Sequence, residues 1–419
     1  MCKRRVLAWI ILAPLASACM DLDGLQRTGT CRPEERCCDN HTSLGGAASN
    51  CAPTSPTDAK SLYDAVAQSD ATRPDAGADL VSAEVPTLPD ASGTDAKNSS
   101  DGAADSGLAE TAPPNPTVVV LPDTQFYAAA YPEIFAAQTK WIADHRNSAN
   151  LVAVLHEGDV VDNTTSSDQW QVASDSFAAL DGVIPYLVPA GNHDESSDRQ
   201  GLMDQFFPAS RSNQFPWFGG TFEPNKTENS FAVVFIGDTP WLLLALEFGP
   251  RNAVVSWANQ VLRNNAEKPA ILVTHAYLYN DGTRYDYNKT QPQSFDPHGY
   301  NYTPLAGVND GEQLWQNLIV TNENVRLVLS GHCLGDPAVA RLTSVRPSGS
   351  MVHQILANYQ TCADLSCPQM PQIKGGNGYL RLLEFDKANQ VLRVHTYSPY
   401  LNQSIEQDDA EDFVLPLPQ

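Results

Sequence analysis

The pattern of apolar and polar positions from Thr117 onward predicts β-strands and α-helices in alternation. The run Thr117–Leu121 is apolar after its first residue and Leu151–Leu155 is apolar throughout, which is typical of short strands buried on both faces. Between them, residues 132–146 carry apolar side chains at helical spacing. By the same patterns we expect strands at 183–188, 231–236, 241–246, 270–274, 325–329 and 352–357, and helices at 167–180, 253–263 and 311–320.

The last predicted strands differ from the others because only a short turn separates them. Residues 379–385 and 391–397 flank Asp386–Asn389, and this spacing is typical of an antiparallel pair. Strands that alternate with helices indicate an α/β layer fold, here with an antiparallel element near its end.

The first residues of the chain predict export. A basic start precedes Val6–Leu15, an apolar run too short to span a membrane as a mature helix. Small residues at 16–18 then form a cleavage site, and Cys19 follows it as in a bacterial lipoprotein signal. We therefore predict a signal peptide at 1–18 and an exported protein held on the cell envelope by a lipid on Cys19, or otherwise a secreted protein.

Nine cysteines agree with an oxidising, exported setting. The Cys-rich segment 19–51 contains enough cysteines for two disulfides, with a zinc site as the alternative. Cys362 and Cys367 are close enough in sequence for a local disulfide.

Composition changes again in residues 52–116, where Ala, Asp, Ser, Thr and Pro dominate. Such a segment has too little apolar surface to offset its conformational entropy, so we predict a disordered acidic linker that tethers the folded part. The folded domain is predicted at 117–402, and residues 403–419 are predicted to be a C-terminal tail.

The formal net charge of −23 excludes one class of function and permits another. A chain this acidic repels nucleic-acid backbones, so a nucleic-acid-coating role is not expected. A phosphate-ester substrate remains compatible, because bound cations reverse the sign of the charge inside a site.

Candidate metal ligands follow five of the predicted strands. They are Asp123, Asp159, Asn192, His275 and His332. Because ligands bind at the carboxyl ends of strands in α/β sheets, we expect these side chains to lie close together. Carboxylates and imidazoles suit zinc, iron and manganese, and two such ions can neutralise a phosphate and activate water.

The motifs around these residues resemble those of the calcineurin-like metallophosphoesterase family. The resemblance rests on Gly158–Asp162, Gly191–Asp194, the lone His275 and the pair Gly331–His332. The run Pro122–Gln125 is similar to an exported bacterial branch of that family.

This resemblance implies a fold and a reaction. The fold would be a four-layer αββα sandwich of two mixed sheets, with the metal ions at the strand ends. The reaction would be hydrolysis of phosphate mono- or diesters at the cell surface, through attack by a metal-bound hydroxide. The alternative is a binding protein that kept the fold and has weak or no catalysis.

The resemblance also implies a role for each site residue. Asp159 would bridge two ions, and a second ion would be completed by Asn192, His275 and His332. His193 would stand near the leaving oxygen, and Asp194 would orient it. Asp162 would support the loop.

Two departures from the family pattern concern the first metal position. Where the family has Asp-x-His, this chain has Asp123-Thr124-Gln125, and the final Gly-His-x-His is replaced by Gly331-His332-Cys333-Leu334. Asp123 and Gln125 could hold a harder ion such as Mg²⁺, Ca²⁺ or Mn²⁺ through oxygen ligands. Alternatively the position is empty, or another residue replaces the histidines, the candidates being Cys333, Asp336, His145 and His156. One or two divalent ions are therefore expected.

Two side chains after His275 are candidates for substrate binding. Tyr277 and Arg284 lie in a segment without hydrophobic periodicity, and Arg284 could bind a phosphate oxygen. An ordinary aromatic loop is the alternative.

Overall fold

The computed structural model describes residues 114–300, 302, 307–334, 338–360, 374–405 and 408–417. Several sequence predictions lie outside these residues, namely those for the signal peptide, Cys19, the Cys-rich segment, the linker up to residue 113, Asp336 and the pair Cys362–Cys367. Among the described residues, no helix has both the length and the apolar character needed to cross a lipid bilayer.

Fourteen strands and six α-helices make up the described part of the chain. The strands are β1 Thr117–Leu121, β2 Leu151–His156, β3 Tyr186–Leu187, β4 Phe218–Thr221, β5 Ser230–Ile236, β6 Thr239–Leu246, β7 Ala270–Thr274, β8 Val325–Ser330, β9 Val339–Val345, β10 Met351–Ala357, β11 Leu380–Asp386, β12 Val391–Ser398, β13 Gln403–Ile405 and β14 Phe413–Pro416. The helices are α1 Gln125–Ala130, α2 Pro132–His145, α3 Ser167–Ala178, α4 Met203–Phe206, α5 Asn252–Asn264 and α6 Gly311–Leu314. A π-helical turn, Trp315–Ile319, continues α6, and short 3₁₀ turns lie at Ala209–Arg211 and Pro297–Gly299.

The strands form two mixed seven-stranded sheets. The first has the order β13-β12-β11-β1-β2-β3, with β14 also paired to β12, and the second has the order β4-β5-β6-β7-β8-β10-β9. In the first sheet β1, β2 and β3 are parallel, and β11 joins β1 antiparallel. In the second, β6, β7, β8 and β10 are parallel, while β4, β5 and β9 pair antiparallel with their neighbours. The predicted α/β fold of two mixed sheets is confirmed.

Three apolar clusters show how these elements stack into layers. The inner faces of both sheets meet in one cluster, in which Val120 and Leu155 of the first sheet join Leu243 and Leu329 of the second. The outer face of the first sheet packs against α1, α2 and α3, and that of the second packs against α5 and α6. Each fully buried aliphatic side chain contributes about 1.5–3 kcal/mol, so these clusters fix the positions of the strand ends.

The end of the domain lies beyond the predicted boundary at residue 402. Residues 403–405 and 413–416 are the strands β13 and β14, and both pair with β12. Phe413 is buried in the cluster between the sheets, which explains why this segment joins the domain instead of forming a free tail. The prediction of a separate C-terminal tail at 403–419 is therefore wrong for these strands.

Candidate metal centre

Four of the predicted ligands converge at the ends of strands from both sheets. One ligand atom each from Asp159, His275 and His332 lie within 4.8 Å of one another. His275 Nε2 is 3.2 Å from Asp159 Oδ1, 3.1 Å from Asn192 Oδ1 and 3.1 Å from His332 Nδ1. Ligands of a tetrahedral ion with bonds of about 2.0–2.1 Å lie about 3.3 Å apart, so this spacing fits one divalent ion.

Hydrogen bonds on the far side of each imidazole decide which nitrogen faces the centre. His275 Nδ1 donates to the carbonyl of Glu157, and His332 Nε2 donates to the carbonyl of Phe295, each over 2.8 Å. A carbonyl only accepts, so these nitrogens carry hydrogen, and in the neutral imidazoles the nitrogens that face the centre offer lone pairs. Two imidazole lone pairs and two side-chain oxygens therefore meet at one point, where only a proton or a cation can join them.

The charges of the buried groups show that this point attracts a proton or a cation. Burial lowers the pKa of His275, but the carboxylates of Asp159 and Asp123 outweigh it and raise that pKa to about 9. Burial alone would raise the pKa of Asp159, yet the neighbouring histidines, His275 first, hold it well below its usual range. Burial and the charge of His275 lower the pKa of His332 to about 3, so His332 is neutral and able to bind a metal ion.

The backbone at this point adopts conformations that the residue types do not reveal. Asp159 and His332 have φ of +53° and +66°, in the left-handed region that residues other than glycine seldom adopt, although Asp and His do so more often than most. A Cβ atom on Gly191 would lie 2.2 Å from both the backbone nitrogen and Oδ1 of Asp159. Glycine at 191 therefore permits the close approach that brings Asn192 to the ligands.

His193 lies beside the centre, but a different carboxylate supports it from the one predicted. Its Nδ1 donates to the carbonyl oxygen of Asp162 over 2.8 Å and lies 3.4 Å from Asp162 Oδ1. Asp194 instead accepts hydrogen bonds from the backbone N–H groups of Val160, Val161 and Gly191. The predicted roles are thus exchanged: Asp162 orients His193, and Asp194 holds the two loops together.

Asp123, a predicted ligand of the first metal position, is buried and is held by neutral hydrogen-bond donors. Its Oδ2 accepts hydrogen bonds from Asn358 Nδ2 at 2.9 Å and Gln360 Nε2 at 3.0 Å, and the backbone N–H of His332 lies 3.2 Å from its Oδ1. Burial raises the pKa of Asp123 to about 7.

Unpartnered oxygens are buried in the same region. Among the described residues, Gln125 Oε1, Gln360 Oε1 and both carboxylate oxygens of Glu157 have no hydrogen-bond partner. Gly331 lies against both Asp123 and Glu157, since a Cβ atom on residue 331 would contact both side chains. Sequence reasoning missed Glu157, although a carboxylate directly after a buried strand was the available signal. Such oxygens fit a hard cation better than an imidazole-preferring one.

The other candidates for the first position have partners elsewhere. His156 uses Nε2 on Thr124 and accepts the N–H of Gly158 at Nδ1. His145 Nδ1 bonds the carbonyl of Trp141 within its own helix. The Cys333 thiol is buried, points to a backbone carbonyl, and has a pKa that burial raises to about 11, which disfavours the metal-binding thiolate.

The structure does not bring Tyr277 and Arg284 to the ligands. Tyr277 is fully buried in the outer cluster of the second sheet, and its hydroxyl bonds Gln354. The Arg284 guanidinium donates to Gln354 and Glu312, among others, and lies over the ring of Trp315. These contacts account for both side chains as packing residues, so the geometry does not support substrate binding by either.

Comparison with known proteins agrees with these features. The sequence profile described as "Calcineurin-like phosphoesterase" matches residues 116–334. Uncharacterized protein YvnB of Bacillus subtilis (strain 168) is 33% identical over 293 residues, which are 68% of this chain and 20% of YvnB, so the chain spans about a fifth of that protein's length.

Solved structures with a similar fold are more distant. Purple acid phosphatase PPD1 from yellow lupin (Lupinus luteus) seeds is 14% identical, with a TM-score of 0.42 over 72% of this chain and 53% of that one. The protein TT1561 of Thermus thermophilus is 11% identical, with a TM-score of 0.37 over 68% of this chain and 99% of that one. The family profile alone covers more than half of the chain and includes Asp159, Asn192, His275 and His332. The chain therefore belongs to the calcineurin-like phosphoesterase family.

Proposed function

We propose that this protein hydrolyses phosphate mono- or diesters at the cell surface, with Asp159, Asn192, His275 and His332 holding a divalent ion. The observation that carries the proposal is that one imidazole nitrogen, of His332, and two oxygens, of Asp159 and Asn192, lie within 3.1–3.2 Å of His275 Nε2. A divalent ion bound there would polarise the phosphate and lower the pKa of an attacking water.

His193 is suited to assist the leaving group. Its Nδ1 is fixed by Asp162, which leaves Nε2 as the reactive nitrogen, and its side chain is 26% exposed and thus reachable. Burial lowers the pKa of His193, but Asp159 and the hydrogen bonds with Asp162 outweigh it and raise that pKa to about 10. A cation at Asp159 would offset this carboxylate, which returns the pKa of His193 toward neutrality, where it can donate its proton to the leaving oxygen.

Asp123 and Gln125 are proposed as oxygen ligands of the first position, now joined by Glu157. Their support is the set of buried, unpartnered oxygens on Gln125 and Glu157. A protein with an ion at the second position alone is the competing arrangement, and a non-catalytic binding protein is the competing function. Both are favoured by the absence of histidine at 125 and 334.

Turnover after metal exchange tests the proposal. The full chain is stripped with a chelator, reloaded with Mn²⁺, Zn²⁺, Fe²⁺, Ca²⁺ or Mg²⁺, and assayed on nitrophenyl phosphate and bis-nitrophenyl phosphate. We expect metal-dependent turnover that His332→Ala reduces more than about 100-fold, because the ion supplies several kcal/mol of charge stabilisation. His395→Ala, at a histidine on β12 that is 38% exposed, is the matched control and should keep full activity. Absence of turnover with every metal would leave only the binding function.

Surface location is a separate proposal, supported by the signal sequence and Cys19 alone. Cell fractionation of the wild type and Cys19→Ser tests it. We expect the variant to leave the membrane fraction, whereas an unchanged membrane fraction would refute the lipid anchor.

A further inference from the structure

A second group of metal-binding side chains lies outside the metal centre, in the loop that connects β7 to α6. One ligand atom each from Asp296, His298 and Asp310 lie within 4.8 Å of one another. We propose that these three residues, called here the loop cation site, bind a borderline divalent cation such as Zn²⁺ or Mn²⁺.

Unsatisfied acceptors are the first argument. Asp296 is 9% exposed, and its Oδ1 accepts the backbone N–H of His298, but its Oδ2 is buried with no partner in the described part of the chain. Asp310 is fully buried and accepts one backbone N–H at each oxygen, from Gln313 and Tyr287. Each carboxylate thus keeps lone pairs that backbone donors do not satisfy, and a buried carboxylate oxygen without a partner is costly.

Charge is the second argument. Among the described residues, neither Asp296 nor Asp310 forms an ion pair with Lys or Arg, and the one ion pair here joins His298 Nε2 to Asp310 Oδ2 at 3.5 Å. A proton on His298 would compensate one negative charge but would still leave Asp296 Oδ2 without a partner. A divalent cation would compensate both carboxylates at once.

The ligand types are the third argument. Gln313 Oε1 accepts the backbone N–H of Asp310 and a 2.8 Å hydrogen bond from His298 Nε2, so its oxygen faces the group and a bound cation would replace the proton on Nε2. Two carboxylates, one imidazole and one amide oxygen form a set that zinc and manganese accept. The His298 side chain is 23% exposed, so an ion can reach the site from solvent. The Tyr287 ring, 4.9 Å from the imidazole, supports its orientation.

The loop cation site would stabilise the metal centre through the peptide unit that joins Phe295 to Asp296. Phe295 precedes Asp296, has a φ of +63°, and its carbonyl accepts the Nε2–H of His332 over 2.8 Å. That hydrogen bond fixes which nitrogen of His332 faces the metal centre. An ion on Asp296 would hold the strained Phe295 backbone in place and so preserve the orientation of His332.

Metal counting tests the proposal without reference to catalysis. The full chain is stripped with EDTA, dialysed against Zn²⁺ or Mn²⁺, and analysed by mass spectrometry for ions per chain. We expect Asp296→Asn to bind one ion fewer than the wild type, since asparagine can still accept the His298 N–H but lacks the charge. Asp281→Asn, the same change at a half-exposed residue of the same loop, is the matched control and should bind as many ions as the wild type.

The identity of the lost ion is checked with variants of each site. Asp159→Asn should lose an ion of the metal centre, and the double variant with Asp296→Asn should lose one more. Asp296→Asn should also weaken binding of the ion at the metal centre about 10-fold, because loss of an outer partner of a metal ligand typically has an effect of this size. Equal ion counts in wild type and folded Asp296→Asn would overturn the proposal and assign the cluster to a proton on His298. If Asp296→Asn does not fold, His298→Gln, at a partly exposed side chain, decides the count in the same way.

Discussion

The exchange of roles between Asp162 and Asp194 leads to a prediction that separates loop stability from catalysis. At pH 8, Asp194→Asn should lower the free energy of unfolding by about 1–3 kcal/mol, because the amide leaves a buried backbone N–H without an acceptor. The carboxylate accepts three backbone N–H groups at 2.7–3.1 Å and is 1% exposed. An amide has one oxygen for these donors, and its NH₂ group would face the remaining N–H.

Asp162→Asn should leave stability almost unchanged and lower turnover. Its side chain is 33% exposed and lies 3.4 Å from His193 Nδ1, so stability should change by less than about 1 kcal/mol. Turnover should fall about 10-fold, because His193 is then oriented by a backbone carbonyl alone. The basic limb of the pH–rate profile should also move to lower pH, since contacts with Asp162 help to raise the pKa of His193.

Urea unfolding and kinetics on the two variants measure both effects. The measurement at pH 8 lies above the pKa of about 7 that burial and the charge of Asp159 give Asp194, so the carboxylate is ionised. A stable Asp194→Asn protein with an altered pH–rate profile would refute the structural reasoning and restore the assignment made from sequence.

Three further predictions concern the metal-free chain and its packing. Burial raises the pKa of Asp123 to about 7, so the unfolded chain loses this proton at a lower pH than the folded chain, and the metal-free protein should lose stability as the pH rises from about 4 to 7. The rise in Tm on adding Mn²⁺ should therefore be larger at pH 8 than at pH 5 in thermal scans. Gly191→Ala should cost about 3 kcal/mol or more in urea unfolding, because its Cβ would lie 2.2 Å from Asp159, and unchanged stability would contradict this clash. Arg284→Ala should cost about 2 kcal/mol through lost hydrogen bonds and its contact with Trp315, while KM stays within about twofold; a larger change in KM would return Arg284 to the substrate site.

Apolar runs predicted most strands because both sheets are buried on their two faces. The exceptions have physical causes. Residues 183–188 were predicted as one strand, but only Tyr186 and Leu187 pair with β2, and Val183 and Ile184 form a turn on Leu180. Residues 311–320 have helical periodicity, yet the helix becomes π-helical at Trp315, a change in hydrogen-bond register that periodicity does not encode.

The metal ligands were predictable for the same reason as the strands. Each ligand follows a buried apolar strand, and the two sheets bring the ends of these strands to one place. The contacts between loops were not predictable, because they join residues about 30 positions apart and no sequence period encodes them. The carboxylate of Asp194 accepts the backbone N–H groups of Val160 and Val161, and Asp162 lies beside His193.

The first metal position shows how a lost pair of histidines changes the preferred ion. Asn358 Oδ1 accepts the N–H of Gln360, which fixes the amide so that its NH₂ group donates to Asp123 Oδ2. One oxygen of Asp123 is thus held by neutral donors, and the carboxylate needs no imidazole to keep its orientation. Unpartnered oxygens nearby lie on Gln125, Gln360 and Glu157, and the charge of Arg381, whose Nη1 is also unpartnered among the described residues, acts on Glu157. An ion bound there would meet carboxylate and amide oxygens, which suit Mg²⁺, Ca²⁺ or Mn²⁺, whereas the imidazoles of the second position suit zinc, iron or manganese. The two positions should therefore differ in metal preference, and Mn²⁺ is the ion that both ligand sets accept.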